Sequence, residues 1–244
     1  MQLILGDCLE AMGKMPPGSV DMVLCDLPYG VTANAWDKPL PLDALWAAYN
    51  RVVKSTGAIV LHAQEPFTAK LITSNLQAFR CKWIWYKSQI SGFLNAKIRP
   101  LRDCEDIVVF YRKQCTYNPQ MTHGPAHLRS GHGGTSNYYR TKGADASVAT
   151  EYYPRQLLDF PAARVKGGHP TQKPVALLEY LIRTHTNPGQ TVLDNCMGSG
   201  STGVACINTG RDFIGIELDE RYYSMAKRRI EGATANGNAP VSAV

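Results

Sequence analysis

The sequence predicts an α/β protein built on a doubly wound, mostly parallel sheet. Short apolar segments alternate with amphipathic segments of helical length along most of the chain, which is the pattern of β-α-β units. Several of the apolar segments are followed directly by an acidic residue or by a glycine-rich turn. Because open parallel sheets bind their ligands at the carboxyl ends of the strands, these polar ends are candidates for a functional site.

The first part of the chain contains three predicted β-α units, each an apolar strand followed by a helix of period 3.6. The predicted strands are 1–5, 20–25 and 57–62, and the predicted helices are 9–15, 42–54 and 66–76. Pro16, Pro17 and Gly18 separate the first unit from the second, because proline and glycine interrupt both helices and strands.

The middle of the chain is basic and departs from this regular order. Two strands rich in aromatic and β-branched residues, 81–87 and 106–111, enclose a polar loop at 88–102. Residues 113–168 lack a regular period, which is typical of a functional insertion or a small subdomain. Residues 79–168 hold 14 lysines and arginines against 6 acids. This basic block with its interleaved aromatics favours nucleic acid over a membrane as partner, and composition alone leaves a solvated basic surface open.

The last part of the chain returns to the alternation of strands and helices. Pro174 is placed to open a helix. The predicted elements are a helix at 175–186, a strand at 191–193, a helix that ends near 210, a strand at 212–218 and a helix at 219–230. Residues 232–244 are small and polar, and we expect a loose tail there.

Composition excludes several classes of protein. The 244 residues are 44% apolar, which suffices for one α/β domain or two small ones. The seven cysteines are odd in number and form no CxxC pair, so we expect reduced thiols in a cytoplasmic protein, and no metal site. For the histidines at 123, 127 and 132 we favour loop or phosphate contacts over zinc. No apolar run approaches the roughly 18 residues that span a membrane.

The first candidate site is the segment Asp26-Leu27-Pro28-Tyr29-Gly30, which directly follows the strand 20–25. A carboxylate, a proline-stiffened backbone and an aromatic ring at the end of a buried strand are suited to holding a flat, polar ligand. The pentapeptide alone is equally compatible with an ordinary turn in which proline and glycine end the strand.

The second candidate site follows the strand 191–193, where Asp194 leads into a glycine-rich turn and a helix, and the next strand ends in Glu217. This is a layout for a nucleoside, because glycines let the backbone approach the ligand and a terminal carboxylate accepts hydrogen bonds from ribose hydroxyls. The glycines at 198, 200 and 203 fit the spacing G-x-G-x-x-G only if the third lies inside the helix. A plain tight turn and a generic nucleotide site stay open at this point.

The charges near the second site favour a cationic nucleoside over a pyrophosphate. No lysine or arginine lies between Gln190 and Gly210. Acidic residues at the ends of predicted strands suit a ligand with positive charge; they are Asp7, Asp26, Asp194 and Glu217. Lys173 and the amides of the turn would suit a carboxylate on the same ligand.

Taken together, the motifs resemble those of the DNA amino-methyltransferases that use S-adenosylmethionine. Residues 26–29 resemble the D-P-P-Y catalytic motif, 169–174 the H-x-T-x-K-P segment and 194–202 the D-P-F-x-G-S-G-T-T cofactor turn. Their order is that of the β group, in which the catalytic motif comes first. The resemblance covers roughly residues 1–113 and 169–230, and three motifs in order are more specific than any one.

The sequence departs from the family pattern at two places. Leu27 replaces the first proline of the catalytic motif, and Asn195 and Cys196 replace the Pro-Phe of the cofactor turn. In the family the second position of the catalytic motif contributes its backbone carbonyl, which leucine also has. Pro28 still confines the preceding residue to extended conformations. The smaller side chain of Cys196 leaves the packing of the cofactor open.

The resemblance implies S-adenosylmethionine as cofactor without a metal. It implies that Asp26 and the Leu27 carbonyl bind the target amine, with Pro28 aiming that carbonyl and Tyr29 stacking on the base. The residues implied in cofactor binding are Asp7, Cys8, Asp26, Thr171, Lys173, Asp194, Met197, Gly198, Ser199, Gly200, Ser201, Thr202 and Glu217.

The resemblance also implies a circularly permuted, Rossmann-like methyltransferase fold. Its expected parts are a catalytic half at 1–112, a target-recognition insertion at 113–168, a cofactor-binding half at 169–231 and a tail at 232–244. Sequence recognition would fall to the insertion and to the loop 88–102. Double-stranded DNA is the expected partner, and the family allows for a homodimer and for a restriction endonuclease as part of a restriction-modification system.

The predicted activity is site-specific methylation of the N6 amine of adenine in DNA, with the base flipped out of the duplex. Aspartate at the first motif position is the family's more common sign for adenine. The nearest alternative is methylation of N4 of cytosine. A methyltransferase for RNA or protein amines, and a DNA-binding module without activity, are further alternatives.

Overall fold

The computed structural model describes residues 1–30, 38–129, 147–163 and 172–237. The chain divides into two compact units, one formed by Met1–Asn118 with Gln156–Val244 and the other by Pro119–Arg155. The first unit contains an eight-stranded sheet flanked by helices, and the second contains a pair of strands.

The strands in chain order are β1 (Gln2–Leu5), β2 (Val20–Asp26), β3 (Val53–Ala63), β4 (Phe79–Ser91), β5 (Arg102–Phe110), β6 (Thr122–Arg129), β7 (Ser147–Tyr152), β8 (Leu157–Asp159), β9 (Thr191–Asp194) and β10 (Asp212–Glu217). The large sheet has the order β1-β10-β9-β2-β3-β5-β4-β8. In this sheet β5 runs antiparallel to both neighbours, and the other neighbouring pairs run parallel. The predicted mostly parallel sheet is confirmed.

Helices cover both faces of this sheet. They are α1 (Cys8–Lys14), α2 (Leu42–Val52), α3 (Phe67–Ser74), α4 (Val175–His185), α5 (Ser201–Thr209) and α6 (Glu220–Gly237). Successive residues of a strand face two different cores. In β2, Val23 and Cys25 pack with α1–α3, whereas Met22 and Leu24 pack with α4–α6. This period of two, with apolar residues on both sides, is what a buried parallel strand requires. The doubly wound architecture is therefore confirmed.

The strands β2 and β9 lie side by side, with Met22 opposite Val192 and Val23 opposite Leu193. The chain leaves β2 for α2 on one face of the sheet and leaves β9 for α5 on the other face. Connections that diverge in this way open a crevice at the carboxyl ends of the two strands, which is where such sheets bind ligands. The topology thus brings the two predicted sites, far apart in sequence, to one crevice.

Some element boundaries differ from the predictions. Strand β4 continues to Ser91, and a 3-10 turn at Phe93–Asn95 lies inside the segment predicted as a polar loop. Helix α6 continues to Gly237, so the loose tail predicted from residue 232 is wrong for its first six residues. Ala233 and Ala235 favour this extension and the Thr234 hydroxyl donates to the Ile230 carbonyl at 3.0 Å, whereas Gly232 and Gly237 disfavour a helix. Residues 238–244 lie outside the described residues.

The second unit is narrower than the predicted insertion 113–168. Residues after Arg155 belong to the first unit, because β8 pairs with β4 through Leu157 opposite Ile84. Within the second unit β6 and β7 pair antiparallel. The ring of Tyr152 stacks on His127 with centroids 4.3 Å apart, and its hydroxyl donates to the Pro125 carbonyl at 2.7 Å. Tyr152 therefore packs inside its own unit.

Two expectations concern absent features. In the described ranges no three side chains of His, Cys, Asp or Glu are grouped to hold a metal ion, and His132 lies outside those ranges. None of the helices that the structure describes has the length and apolar character needed to cross a bilayer.

Candidate active site

A cavity of about 900 Å³ opens at the carboxyl ends of β2 and β9. Both predicted sites contribute to its wall. The predicted site residues that line it are Asp7, Cys8, Asp26, Leu27, Pro28, Tyr29, Lys173, Asp194, Met197, Gly198, Ser199, Ser201, Thr202 and Glu217. Among the described residues Gly200 is the predicted one that does not line it, and Thr171 lies outside the described residues.

Asp26 is the last residue of β2, and both of its carboxylate oxygens accept hydrogen bonds. Tyr29 donates its hydroxyl to Oδ1 at 2.6 Å, and Lys173 donates from Nζ to Oδ2 at 2.7 Å. The ring of Tyr29 stacks on Phe67 with centroids 5.0 Å apart. A carboxylate has about four acceptor positions, so Asp26 is held in one orientation and still has capacity for an incoming N–H group.

Lys173 lies buried between two carboxylates. Its Nζ is 2.7 Å from Asp26 Oδ2 and 3.2 Å from Glu105 Oε2. Burial alone would lower the pKa of Lys173, but the charges of Asp26 and Glu105 outweigh it and raise the pKa. The ammonium that the sequence analysis predicted for a ligand carboxylate is thus engaged, in this structure, at the catalytic motif.

Glu105 is a site residue that the sequence analysis missed. It lies on β5, lines the cavity and also pairs with Lys87 at 3.1 Å. Burial would raise the pKa of its carboxyl group, but Lys173 and Lys87 lower it to about 2. Its proximity to Asp26 depends on the register of β3 with the antiparallel strand β5, which no local sequence pattern reveals.

His62 is a second missed residue. It lies beside Asp26 in the register of β2 and β3, lines the cavity and is 1% exposed. Neither ring nitrogen has a hydrogen-bond partner among the residues that the structure describes. Burial, and then the charge of Lys173, lower the pKa of His62 to about 4. The imidazole is therefore neutral at neutral pH and does not compete with Lys173 for Asp26.

The lowered pKa of His62 predicts a pH-dependent stability. Between about pH 6.5 and 4 the unfolded chain binds a proton that the folded chain excludes, so stability falls as the pH falls through this window. We expect His62→Gln to remove about 3 kcal/mol of that fall, since the pKa of His62 is lowered from 6.5 to about 4 and one pKa unit corresponds to about 1.4 kcal/mol. Denaturant unfolding at pH 7 and pH 4 measures it. His123→Gln, at an exposed histidine, is the control. If His62→Gln lost as much stability between pH 7 and pH 4 as wild type does, His62 would not be the source of the pH dependence.

The glycines of the cofactor turn have different functions. Gly198 and Gly200 have positive φ angles of 51° and 76°, a region that favours glycine. Gly203 lies inside α5, and a Cβ there would come within 2.5 Å of Ile230 Cδ1. Gly200 likewise faces α6, where Ala226 is the nearest residue. Gly200 and Gly203 thus allow close helix packing, and Gly198 is the glycine of the three that lines the cavity.

Asp194 and Thr202 shape the turn by bonding to each other. Asp194 Oδ2 accepts from the Thr202 hydroxyl at 2.6 Å, and Oδ1 accepts from the Cys196 amide at 3.2 Å. Burial raises the pKa of Asp194 to about 6, although these hydrogen bonds lower it. The two side chains hold the backbone of the turn in place at the wall of the cavity.

Arg229 of α6 supplies a positive charge that the sequence analysis did not place at the turn. Its Nη1 donates to the hydroxyls of Ser199 at 2.8 Å and Ser201 at 3.3 Å, and to the Ser199 carbonyl. Arg229 does not line the cavity. Arg229 therefore stabilises the turn on the side away from the cavity. Its charge does not face the space for the ligand.

Glu217 and Asp7 present carboxylates at the ends of β10 and β1. Glu217 Oε2 accepts from the Gly198 amide at 2.8 Å, and Oε1 accepts from the Asp219 amide at 2.9 Å. Asp7 caps α1 by accepting from the amide of Leu9 at 2.8 Å. Both side chains are fixed by the backbone and keep further acceptor positions toward the cavity.

The two departures from the cofactor-turn pattern are accommodated by neighbouring side chains. Asn195 Oδ1 accepts the buried hydroxyl of Tyr49 at 2.6 Å. The thiol of Cys196 lies in hydrogen-bonding contact with Cys8, the first residue of α1, and with Cys25 near the end of β2. The position that carries phenylalanine in the family pattern therefore holds one of three clustered thiols at the cavity wall.

Comparison with known proteins identifies the family. The sequence model of the N6/N4 methyltransferase family, which is described as DNA methylase, matches residues 20–228 of this chain. The chain belongs to the N6/N4 DNA methylase family. This match spans the catalytic motif, Glu105 and the cofactor turn of the methylase.

Two curated relatives align along most of this DNA methylase. The DNA adenine methyltransferase YhdJ of Escherichia coli (strain K12) is 33% identical over 253 residues, which is 95% of this chain and 83% of the relative. The type II methyltransferase M.HpaI of Haemophilus parainfluenzae is 28% identical over 249 residues, which is 94% of this chain and 74% of the relative.

Solved structures show the same fold. M1.HpyAVI in complex with S-adenosylmethionine is 26% identical with a TM-score of 0.64, covering 93% of this methylase and 98% of that chain. The cytosine-N4-specific PvuII DNA methyltransferase has a TM-score of 0.67 at 15% identity, covering 99% and 87% of the two chains, and shows likeness of fold alone. The Rossmann-like methyltransferase fold expected from the motifs is confirmed.

Proposed function

We propose that this DNA methylase transfers a methyl group from S-adenosylmethionine to the N6 amine of adenine in double-stranded DNA. Membership of the N6/N4 family establishes a DNA methyltransferase that uses S-adenosylmethionine. The observation that supports the assignment of the site is the cavity itself, because the Asp26 motif and the Gly198 turn line one space.

The residues around the cavity fit the cofactor. The carboxylate of Glu217 has acceptor positions for ribose hydroxyls, and the backbone at Gly198 can approach a ligand without a side chain in the way. Asp7 and Asp26 are carboxylates on the same wall, which suits a positively charged group. Bound S-adenosylmethionine supplies an electrophilic methyl group on a sulfonium centre.

Asp26 and the Leu27 carbonyl are proposed to bind the target amine. An exocyclic amine is a weak nucleophile because its lone pair is delocalised into the ring. Two acceptors on its N–H groups favour a more pyramidal nitrogen, whose lone pair is available for the methyl group. The nitrogen gains positive charge during transfer, so the carboxylate of Asp26 stabilises the transition state more than the ground state.

Lys173 is proposed to keep Glu105 as its ion-pair partner when the target amine binds Asp26. The ammonium of Lys173 occupies Asp26 Oδ2 at 2.7 Å and also has Glu105 at 3.2 Å. Glu105 therefore offers an anionic partner that retains Lys173 when N–H groups share Asp26. After transfer the amine nitrogen must release one proton, and Asp26 is the acceptor in contact with it.

A base inside a duplex cannot reach Asp26, so the target base is proposed to flip into the cavity, at a cost of a few kcal/mol. Tyr29 has one ring face on Phe67 and its hydroxyl on Asp26, which holds the ring in one place. We propose that Tyr29 stacks on the flipped base, as the catalytic motif implies. The basic insertion at 113–168 and the loop 88–102 are proposed to bind the DNA around it.

Adenine is proposed over cytosine on two grounds. Aspartate at position 26 is the more common residue for adenine in this family, and the relative YhdJ, 33% identical over 95% of this chain, is named a DNA adenine methyltransferase. The cytosine-N4-specific PvuII enzyme is 15% identical and supports the fold alone. A homodimer and a restriction endonuclease partner stay predictions.

Glu217→Gln is expected to weaken cofactor binding about 10- to 100-fold, because a hydrogen bond to a charged group contributes about 1.5–3 kcal/mol. The amide would also present a donor to the Gly198 or Asp219 amide that now donates to Glu217. Calorimetric titration with S-adenosylmethionine measures the affinity. Glu220→Gln, an exposed acid outside the cavity wall, is the control. An unchanged affinity in the Glu217 variant would remove Glu217 from the site.

The proposed function is tested by incubating the protein with duplex DNA and cofactor labelled in the methyl group, then identifying the labelled nucleoside. We expect N6-methyladenine. N4-methylcytosine would support the nearest alternative, and absence of label in DNA, from protein that binds the cofactor, would contradict both. Parallel incubations with RNA and with protein substrates test the two more distant amine acceptors.

A further inference from the structure

An exposed apolar tip stands next to the cavity. We call residues 92–101, which join β4 to β5, the β4–β5 tip. Three of its side chains are large, apolar and open to solvent: Phe93 is 66% exposed, Leu94 101% and Ile98 81%. Single exposed apolar residues are common on proteins, but three on one short tip form a patch that calls for a partner.

The tip is ordered by its own backbone. Gly92 has a positive φ of 91° and starts the 3-10 turn Phe93–Asn95. The amide of Asn95 donates to the Gly92 carbonyl at 2.9 Å, and the amide of Ile98 donates to the Asn95 carbonyl at 3.0 Å. At the base of the tip the Ser91 hydroxyl donates to the Arg102 carbonyl at 3.2 Å. These bonds present the apolar side chains on a defined turn.

The tip continues the wall of the cavity. Alternate residues of β4 line that cavity as the strand runs toward the tip: Trp85, Lys87, Gln89 and Ser91. Strand β4 runs parallel to β3, and so its carboxyl end lies at the same edge of the sheet as Asp26 and His62. A base that enters the cavity therefore leaves a duplex at the edge where the tip stands.

The charge of the tip fits DNA. Residues 88–102 contain Lys97, Arg99 and Arg102 and no acid, and Lys97 and Arg99 are exposed. Cations beside an apolar side chain can bind phosphates while the side chain enters the base stack. Apolar wedges of this kind, including Phe, Leu and Ile, separate base steps in other DNA-binding proteins.

We propose that the β4–β5 tip is a wedge that inserts Phe93 and Leu94 into the DNA duplex at the position the target base leaves. This proposal rests on the proposed function, since it needs a base that flips into the cavity. The wedge replaces stacking that the flipped base gives up. Its contribution is therefore largest for a paired target and smallest where the duplex is already open.

The test compares two duplexes with the same target sequence, obtained by mapping modified bases in cellular DNA. In one duplex the target base is paired, and in the other it lies opposite an abasic site. The double variant Phe93→Ala with Leu94→Ala is compared with wild type in single-turnover methyl transfer. We expect a loss of at least about tenfold on the paired duplex and a rate within about twofold of wild type on the abasic one.

Leu76→Ala is the matched control, because Leu76 is 65% exposed and precedes β4 at the opposite edge of the sheet. It should match wild type on both duplexes. Equal losses on both duplexes, or no loss, would overturn the wedge. A loss that accompanies conversion of a dimer to a monomer in sedimentation would assign the tip to contacts between copies of the chain. If wild type methylates neither duplex, the proposed function itself fails and the wedge fails with it.

Discussion

Asp26→Ala is expected to lower methyl transfer to DNA by at least about a thousandfold, as removal of a group that stabilises developing charge does elsewhere. Alanine removes the acceptor for the amine and the negative charge beside the nitrogen as it becomes positive. Affinity for S-adenosylmethionine should fall much less, by about tenfold at most, because Glu217 and the Gly198 turn are unchanged and Asp26 is only one of the carboxylates that suit the cationic cofactor. Single-turnover transfer and a binding titration measure the two quantities separately.

Two further variants refine this prediction. Asp26→Asn keeps one acceptor oxygen without the charge, and its activity should lie between those of alanine and wild type. Asp43→Ala removes an exposed acid from the first turn of α2 and should leave transfer unchanged. If Asp26→Ala retained more than about a tenth of wild-type transfer, Asp26 would not act on the amine. If the chain only bound DNA, wild type would transfer no methyl group and the substitution would change no measured quantity.

Lys173→Met is expected to lower the free energy of unfolding by about 3–5 kcal/mol, which is the usual cost of removing one partner from a buried ion pair. The variant leaves the partly buried carboxylates of Asp26 and Glu105 without the ammonium that now lies within 3.2 Å of both. Methyl transfer should also fall, because Asp26 loses the group that orients Oδ2. Denaturant unfolding at pH 7 measures the stability.

Lys87→Met is the matched control for this prediction. Lys87 pairs with Glu105 at 3.1 Å, but Glu105 retains Lys173 when Lys87 is removed. Its effect should therefore be clearly smaller. Adding Glu105→Gln to Lys173→Met removes one of the two carboxylates that lost the ammonium and should restore at least about 1 kcal/mol, a coupling that contacting residues commonly show. Strict additivity of the two changes would contradict the shared ion pair.

Local sequence patterns predict the strands β2 and β9 and the polar residues at their carboxyl ends. The strands β2 and β9 are apolar runs between turn residues, and the polar residues at their ends mark Asp26 and Asp194 as site candidates. Their meeting also follows from the sequence, because parallel strands in a doubly wound sheet place their carboxyl ends at one edge. The structure confirms this arrangement with β2 and β9 as neighbours.

Other residues of the site depend on contacts that a local pattern cannot predict. His62 lies beside Asp26 through the register of β3 against β2, and Glu105 comes near it through the register of β5 against β3. Arg229 reaches the cofactor turn from a helix 30 residues later in the chain. Gly203 fits a ligand-binding motif by its spacing, yet it serves the packing of α5 against Ile230. The spacing of the glycines identifies the turn. Only the packing of α5 shows which glycine lines the cavity and which allows close contact between helices.

The central claim is that the cavity at Asp26 accepts the amine of adenine from duplex DNA. Sequencing with detection of modified bases, on DNA from a methylation-deficient host that expresses the protein, tests it directly. For wild type we predict N6-methyladenine at one recurring sequence, and for Asp26→Ala no modified base. Modified cytosine at a recurring sequence, or unmodified DNA in cells that contain the folded wild-type protein, would contradict the claim.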